Sequence, residues 1–256
     1  MTFIHLLSLC TAFLASGCGF CSETHVVGAG PTVGRNYQVV AFNEIKISGN
    51  FACTFVPADV YQVRVETHEN LFPYFEIVSD GHCLKIASQS NATLKTTDPI
   101  KVLVKAPHVE RVALSCASTL DLEPGAQEAL KIDASGSCRI RGDEFVVNVL
   151  NLKLAGNSRA TVRVNGRLEA KLTGSSELVY RGKASHVDIN ASGASLIEGL
   201  DTPVEALKID VSGAVKAHVA VEKSLHVDAS GASSVTYTGS PVVEQHLSGA
   251  ATLRKQ

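Results

Sequence analysis

A short phrase ending in Ser-Gly recurs through the second half of the chain, at intervals of 18 to 20 residues. The phrases end at seven glycines, and Cys116 holds the equivalent place in an earlier copy: Gly136, Gly156, Gly174, Gly193, Gly213, Gly231 and Gly249. Repetition at such a period is typical of a solenoid, in which each unit buries its apolar face against its neighbours. The sequence therefore predicts a stack of similar rungs over residues 111–256.

The residues around each glycine alternate in character. On either side of Gly136, every second residue is apolar or small, namely Ile132, Ala134, Cys138 and Ile140. A period of two predicts a strand with one buried face, whereas a helix would require a period of 3.6. A β-sandwich also has short strands separated by turns. We predict an all-β parallel β-helix instead, because stacked rungs explain why equivalent positions carry equivalent residues in unit after unit.

The repeat also predicts how the chain turns. The seven glycines are interpreted as structural corners close to the core, because glycine adopts backbone angles that other residues avoid. Second corners are predicted at Gly142, Asn165-Gly166, Gly182, Gly199 and Gly239. Two residues beyond the first corner lies a column of serines, predicted to fill a narrow interior with their hydroxyls bonded to the backbone: Ser118, Ser158, Ser176, Ser195 and Ser233.

The N-terminus indicates export. Residues 1–17 form an apolar run that ends in small residues, which is typical of a signal peptide of the lipoprotein type. Cys18 is then the predicted lipid attachment site, since several acyl chains make a stable membrane anchor. A plain signal peptide or an uncleaved hydrophobic N-terminus are the alternatives. Residues 18–36 contain Gly, Pro and Thr without a sustained period and are predicted to be a tether.

Residues 37–256 are predicted to form a single β-helical domain. Residues 37–110 resemble hairpins more than repeats, as in the strand pattern on both sides of Asp80-Gly81. We expect this hairpin-rich region to cap the first rung, because an uncapped solenoid would expose unpaired strand edges, and we expect residues 111–256 to supply the Ser-Gly rungs. The net charge of −2 and the absence of a basic stripe with aromatics give no indication of nucleic-acid binding.

The cysteines give little indication of a metal site or a disulfide. Cys21, Cys53, Cys83, Cys116 and Cys138 include no pair of C-x-x-C motifs, so no zinc site is predicted. Cys116 and Cys138 face inward on successive rungs. A disulfide between them is possible in an exported protein, but burial as small apolar residues is the preferred interpretation.

One outward column could place oxygen ligands on successive rungs: Asp133, Asn190, Asp210 and Asp228. Binding of Ca²⁺ by stacked oxygen ligands is one interpretation of this column. A solvated polar ladder is preferred, because no calcium-binding repeat is present and Lys153 and Lys171 interrupt the column. The histidines are scattered over separate rungs. No metal and no cofactor are therefore predicted.

The order of these parts resembles a known bacterial family. The phrases from Phe42 to Gly49, from Asp80 to Ile86 and from Ile100 to Pro107 are followed by Ser-Gly-Ala repeats up to Ala251. This arrangement is similar to the family described as putative auto-transporter adhesin, head GIN domain. The resemblance implies a right-handed parallel β-helix in an exported, often lipid-anchored envelope protein. It implies no shared catalytic residues.

The predicted function is that of a non-catalytic envelope protein, adhesin-like or structural, anchored by lipid to the outer membrane. Its expected partners are a polysaccharide or a surface protein, contacted along a flat face of the solenoid. A carbohydrate-active β-helix enzyme is one alternative, since this fold also carries lyases and glycosidases. A periplasmic assembly or accessory factor is another.

Overall fold

The computed structural model describes residues 24–89, 92–96 and 98–256. Cys18, Cys21 and the predicted signal peptide lie outside the described residues. The described part contains one short 3-10 helix, Glu69–Tyr74, and these strands: β1 Thr24–Val27, β2 Thr32–Tyr37, β3 Glu44–Gly49, β4 Phe51–Pro57, β5 Gln62–His68, β6 Phe75–Ser79, β7 Cys83–Ser88, β8 Ala92–Lys95, β9 Ile100–Ala106, β10 Arg111–Cys116, β11 Thr119–Leu122, β12 Gly125–Gly136, β13 Arg139–Gly156, β14 Arg159–Leu172, β15 Glu177–Gly182, β16 His186–Gly193, β17 Leu196–Gly213, β18 Lys216–Ala229, β19 Ser234–Gly239, β20 Val242–Leu247 and β21 Thr252–Lys255.

The strands wind into a solenoid of about seven turns. Strands of successive turns pair in parallel and in register, so that Gly136 lies beside Gly156 and Gly193 beside Gly213. The predicted parallel β-helix is therefore confirmed. The register follows from the side-chain period of two, because a slip by one residue would turn every buried side chain towards water.

The interior is one continuous apolar core that runs from Phe42 to Val235. Alternate residues of each strand supply it, as in the first half of β14, where Ala160, Val162 and Val164 are buried. Aromatic rings occupy the N-terminal end, where Phe55 and Phe145 meet edge to face with their centroids 6.1 Å apart. The intervening residues of each strand point outward and form the surface of the solenoid.

The seven repeated glycines all have positive φ, from 71° to 101°. They are exposed, which differs from the predicted place close to the core. Their crowding is between rungs: a Cβ atom on Gly213 would lie 2.6 Å from the carbonyl oxygen of Gly193. That oxygen accepts a hydrogen bond from the amide of Ala214 at 2.8 Å. Glycine is therefore required by the close stacking of one backbone on the next.

The serines two residues beyond the corner are fully buried, at 0% to 2% exposure. The hydroxyl of Ser158 donates to the carbonyl of Ala155 at 2.9 Å, and Ser233 donates to Ser230 at 2.8 Å. The predicted column of inward serines bonded to the backbone is confirmed. Since each hydroxyl satisfies a carbonyl within its own corner, the column holds the turn together without leaving a buried polar group unpaired.

The predicted second corners differ in backbone conformation. Gly182 and Gly239 have positive φ at strand ends. Gly142, Gly166 and Gly199 have no positive φ and lie within long strands, but the pairing register shifts beside each of them, so the ladder is interrupted at these places too. The missing side chain of Gly199 also makes room for a neighbour, because a Cβ atom there would overlap the ring of Tyr180 on the preceding rung.

The N-terminal region closes the first end of the solenoid. Strands β7 and β9 pair in parallel with β3 and β4, and the antiparallel strands β5 and β6 then cover their outer edges. The segment predicted as a tether is partly strand: β1 pairs with β8, and β2 pairs with β5. The short apolar alternation of β2 was too weak to reveal this, since its partner lies far along the chain.

The C-terminal end has a different character. Within the described chain, β20 pairs with β18 alone and β21 pairs with β19 alone. Val242 is 79% exposed on this last rung. No helix among the described residues has the length and apolar content needed to cross a bilayer.

Candidate functional site

The strands that precede the glycine corners form one continuous outer surface, here called the flat face. Its central column consists of the outward residues three places before each corner: Lys46, Ala113, Asp133, Lys153, Lys171, Asn190, Asp210, Asp228 and His246. Adjacent rungs of such a sheet are about 4.8 Å apart. The flat face therefore presents side chains at a regular spacing along the whole solenoid.

Small residues accompany the central column on the side of the corners. They are the residues immediately before each corner position: Ser48, Ser115, Ser135, Ala155, Thr173, Ser192, Ser212, Ser230 and Ser248. Because these side chains are short, the backbone is accessible beside the longer charged groups. The result is a shallow track that follows the length of the flat face.

The N-terminal part of the flat face is basic around an apolar hollow. The hollow, of about 530 Å³, is open to solvent and has Ala113 and Ala155 in its lining. Lys46, Lys85 and Lys153 also line it, together with one carboxylate, Asp133. An apolar floor with an ammonium rim can bind a ligand that has both apolar and anionic parts.

The predicted polar ladder is present and largely paired. Asn190, Asp210 and Asp228 lie on consecutive strands, and the Asn190 amide donates to Asp210 at 3.4 Å. Asp210 also pairs with Lys208 at 3.2 Å, and this hydrogen bond raises the pKa of the Lys208 ammonium. Asp133 is separate from this group and binds Arg111 at 2.7 Å.

The structure brings together histidines that the sequence appeared to scatter. His226 Nε2 lies 2.9 Å from Asp228 Oδ2, and His246 Nδ1 lies 3.3 Å from Asp228 Oδ1. The bonds to Asp228 and then Glu244 raise the pKa of His226, and the bond to His226 lowers the pKa of Asp228. The sequence could have revealed this contact, because His246 lies three residues before Gly249, just as Asp228 lies three residues before Gly231. The two residues therefore occupy the same column on adjacent rungs.

The cysteines do not form a disulfide among the described residues. Cys138 is buried in the serine column, as the preferred interpretation held, and its thiol contacts the carbonyl of Ser135 at 3.3 Å. Cys116 is exposed, so the prediction of its burial is wrong. It occupies the corner column, which faces solvent, with φ at 66°. Burial raises the pKa of the Cys53 thiol to about 12.

Comparison with protein families gives a single result that spans most of the chain. Residues 41–241 match the family described as "Putative auto-transporter adhesin, head GIN domain". The chain belongs to this family. The match covers both the hairpin-rich cap and the Ser-Gly rungs, so the head GIN domain of this chain is the whole solenoid apart from its ends.

Solved structures resemble this head GIN domain over almost all of its length. One from Parabacteroides distasonis, described as a putative lipid binding protein, has a TM-score of 0.82 at 18% identity and covers 91% of this chain and 100% of its own. A putative adhesin from the same organism has a TM-score of 0.80 at 24% identity, with coverage of 91% and 100%. A putative adhesin from Parabacteroides merdae reaches 0.80 at 19%, with coverage of 91% and 99%.

At these identities the structural likeness establishes the fold of the head GIN domain and not its ligand. No protein with a curated description matches the chain. The family description indicates an adhesin-like, envelope-associated protein.

Proposed function

We propose that this chain is a non-catalytic envelope protein that binds a polysaccharide along the flat face. The observation that carries the proposal is the unbroken register of the central column, which places an outward side chain at the same position rung after rung, polar at every rung except that of Ala113. A polymer with a regular repeat can contact one such side chain at each rung. Many weak contacts then add up to useful affinity, as in other multivalent binding.

The basic part of the flat face is the preferred place of contact. Lys153 and Lys171 lie on adjacent strands, and neither has an acidic partner within 4.0 Å in the described part of the chain. Unpaired ammonium groups on a surface attract anionic ligands over several ångströms. The preferred ligand is therefore an acidic polysaccharide.

The proposed location is the outer membrane, with Cys18 acylated as the anchor. The apolar residues 1–17 before Cys18 support this, and so does membership of an adhesin-like family. Labelling with a fatty-acid analogue during expression tests it directly. Incorporation into the native chain and its loss in Cys18→Ser is the expected result, and equal labelling of both chains would contradict it.

Binding is tested with the Cys18→Ser chain on a panel of acidic and neutral polysaccharides, with retention and chain cleavage scored together. The double variant Lys153→Thr, Lys171→Thr is expected to lose at least about half of the salt-sensitive retention. The matched control is Lys101→Thr, Lys216→Thr. It removes the same charge from β9 and from the first half of β18, which lie on the side of the solenoid that follows the glycine corners. Equal loss in both pairs would contradict the flat face as the site, and shortened polysaccharide would contradict a non-catalytic role.

A second candidate is the binding of an anionic amphiphile in the hollow. The mostly apolar lining with its lysine rim supports this, together with the description of one structural neighbour as a putative lipid binding protein. Ala113→Glu would place a carboxylate in the hollow. If binding of a fluorescent fatty acid is lost in this variant while polysaccharide retention persists, the hollow is a separate lipid site.

A further inference from the structure

The last two rungs of the flat face carry a cluster of nitrogen and oxygen ligands. His226 and Asp228 project from β18, and Glu244 and His246 project from β20. The strands pair so that His226 lies beside Glu244 and Asp228 beside His246. One ligand atom from each of His226, Asp228 and His246 lies within 4.8 Å of the others.

These separations approach those of a metal site. Zinc binds imidazole nitrogen and carboxylate oxygen at about 2.0–2.2 Å, which places neighbouring ligand atoms of a tetrahedron about 3.3–3.6 Å apart. Two of the contacts, at 2.9 Å and 3.3 Å, are close to this range, although each imidazole approaches a different oxygen of Asp228. A set of one ligand atom from each residue spans at most 4.8 Å, so the site would contract when it binds an ion.

The surroundings of His226 also suit a metal ligand. Carboxylate oxygens face both of its nitrogens: Asp228 at 2.9 Å from Nε2 and Glu244 at 3.2 Å from Nδ1. A protonated imidazolium satisfies both carboxylates, and so does a neutral imidazole that binds a metal ion through one nitrogen. With a metal ion bound at Nε2, the Nδ1–H group donates to Glu244. This is the carboxylate–histidine arrangement that orients metal ligands in other proteins.

A further oxygen beside the cluster lacks a partner. Asp210 Oδ1 is out of solvent and accepts no hydrogen bond within the described structure, although Oδ2 is bonded. Asp210 stands next to Asp228 in the central column. A buried carboxylate oxygen without a partner is costly. A metal ion at the cluster would lower that cost beyond what the Lys208 ammonium, 3.2 Å from Oδ2, already does.

We propose that His226, Asp228 and His246 form a binding site for a divalent transition metal ion of the zinc type. Two imidazoles favour Zn²⁺, Co²⁺, Ni²⁺ or Cu²⁺ over Ca²⁺ and Mg²⁺, which prefer oxygen ligands. Three protein ligands on an exposed surface leave a coordination position for water or for a ligand group. The site would also join β20 to β18 and so hold the last rung of the described chain, in which β20 pairs with β18 alone.

The test is a calorimetric titration of the untagged full chain with Zn²⁺, in a Cys18→Ser, Cys21→Ser, Cys116→Ser background that removes the exposed thiol of the described residues and the Cys-x-x-Cys pair that precedes them. We expect one equivalent to be lost, or its affinity lowered by at least about tenfold, in His226→Gln and in His246→Gln, and an affinity about tenfold lower in Glu244→Gln. His218→Gln is the matched control. His218 also pairs with a carboxylate, Glu198, at 2.9 Å, but it lies on the side of the solenoid that follows the glycine corners. Equal Zn²⁺ binding by all variants, or no saturable binding by the parent chain, would overturn the site.

Two further measurements separate a bound metal from a purely structural role of the side chains. Co²⁺ in place of Zn²⁺ should give visible absorption bands of a nitrogen-ligated ion, which His246→Gln should lose. Zn²⁺ should also slow hydrogen exchange of the β20 amides in the parent chain and leave it unchanged in His246→Gln. Unchanged exchange in the parent chain despite binding would overturn the role in holding the last rung. This inference does not rest on polysaccharide binding, which has its own test.

Discussion

The carbonyl oxygen of Gly136 lies 2.5 Å from the place that a Cβ atom on Gly156 would occupy. Gly156 also has φ at 79°, which disfavours any side chain. Gly156→Ala therefore combines a backbone penalty with displacement of the adjacent rung, and we expect the free energy of unfolding to fall by more than about 2 kcal/mol. Urea denaturation of the variant and the native chain measures the change.

Gly81 provides the control for that variant. Its φ is 91°, but a Cβ atom there would have no neighbour within 4 Å. Gly81→Ala should show the backbone penalty alone, about 1–2 kcal/mol. If Gly81→Ala destabilises the chain as much as Gly156→Ala, the contact between rungs contributes nothing.

Cys116 is the only non-glycine residue with positive φ among the described residues. Replacing it with glycine removes a penalty of about 1–2 kcal/mol and adds unfolded-state freedom worth about 0.5–1 kcal/mol. We expect Cys116→Gly to stabilise the chain by about 0.5–1 kcal/mol. Cys116→Ala keeps the Cβ atom and should change little, so equal stability of the two variants would argue against strain at this corner.

Tyr180 is buried in the core with no partner for its hydroxyl within the described structure. Burial raises its pKa, because the charged form cannot be solvated there. Tyr180→Phe keeps the ring beside Gly199 and removes the unpaired hydroxyl, so we expect thermal unfolding to show a gain of about 1 kcal/mol. Tyr237→Phe, in the same column at the open C-terminal end, should change little. A loss of stability in Tyr180→Phe would mean that the hydroxyl is satisfied.

Asp80 holds the turn between β6 and β7. Its Oδ1 atom accepts hydrogen bonds from the amides of Cys83 at 2.8 Å and His82 at 2.9 Å, and these bonds, that of Cys83 first, lower the pKa of Asp80. A carboxyl with a lowered pKa stabilises the folded state above its unfolded-state pKa of about 3.9 and ceases to do so as the pH falls through the folded value. Asp80→Asn should therefore be less stable than the native chain near neutral pH, and the difference should disappear in acid.

Urea denaturation over a series of pH values measures that difference. Asp59→Asn is the control, because Asp59 is exposed in the same N-terminal region and no described residue gives its side chain a hydrogen bond. Its stability relative to the native chain should not vary in the same way. A pH-independent loss in Asp80→Asn would indicate that the turn depends on shape and not on charge.

The fold could be predicted because the sequence repeats its constraints. Most rungs contain the same glycine corner, the same alternation of buried and exposed residues and the same buried serine. A pattern that is ambiguous in one copy is therefore clear when several copies agree. Contacts between different rungs were beyond this approach. The overlap that a side chain at Gly199 would have with Tyr180 could not be predicted, because nothing in its own rung reveals the ring on the preceding rung. Strand β2 was missed because its order depends on pairing with β5.

The candidate site was predicted in part for the same reason. The columns of the flat face follow from the offset of each residue from its glycine, and the ladder of Asn190, Asp210 and Asp228 was found in this way. His246 continues this column, but the contact was not predicted because the histidines were considered only as residues on separate rungs. Distances between side chains also depend on rotamers, which the repeat does not determine.

The glycine column has a consequence for how such chains can change length. Since the backbone of each corner rests on the corner before it, a whole rung is the unit that can be gained or lost without disturbing its neighbours. Duplication of one such segment would lengthen the flat face by about 4.8 Å and leave every existing contact in place. The length of the solenoid can therefore change in steps of one rung by recombination, while the side chains of the existing rungs stay the same.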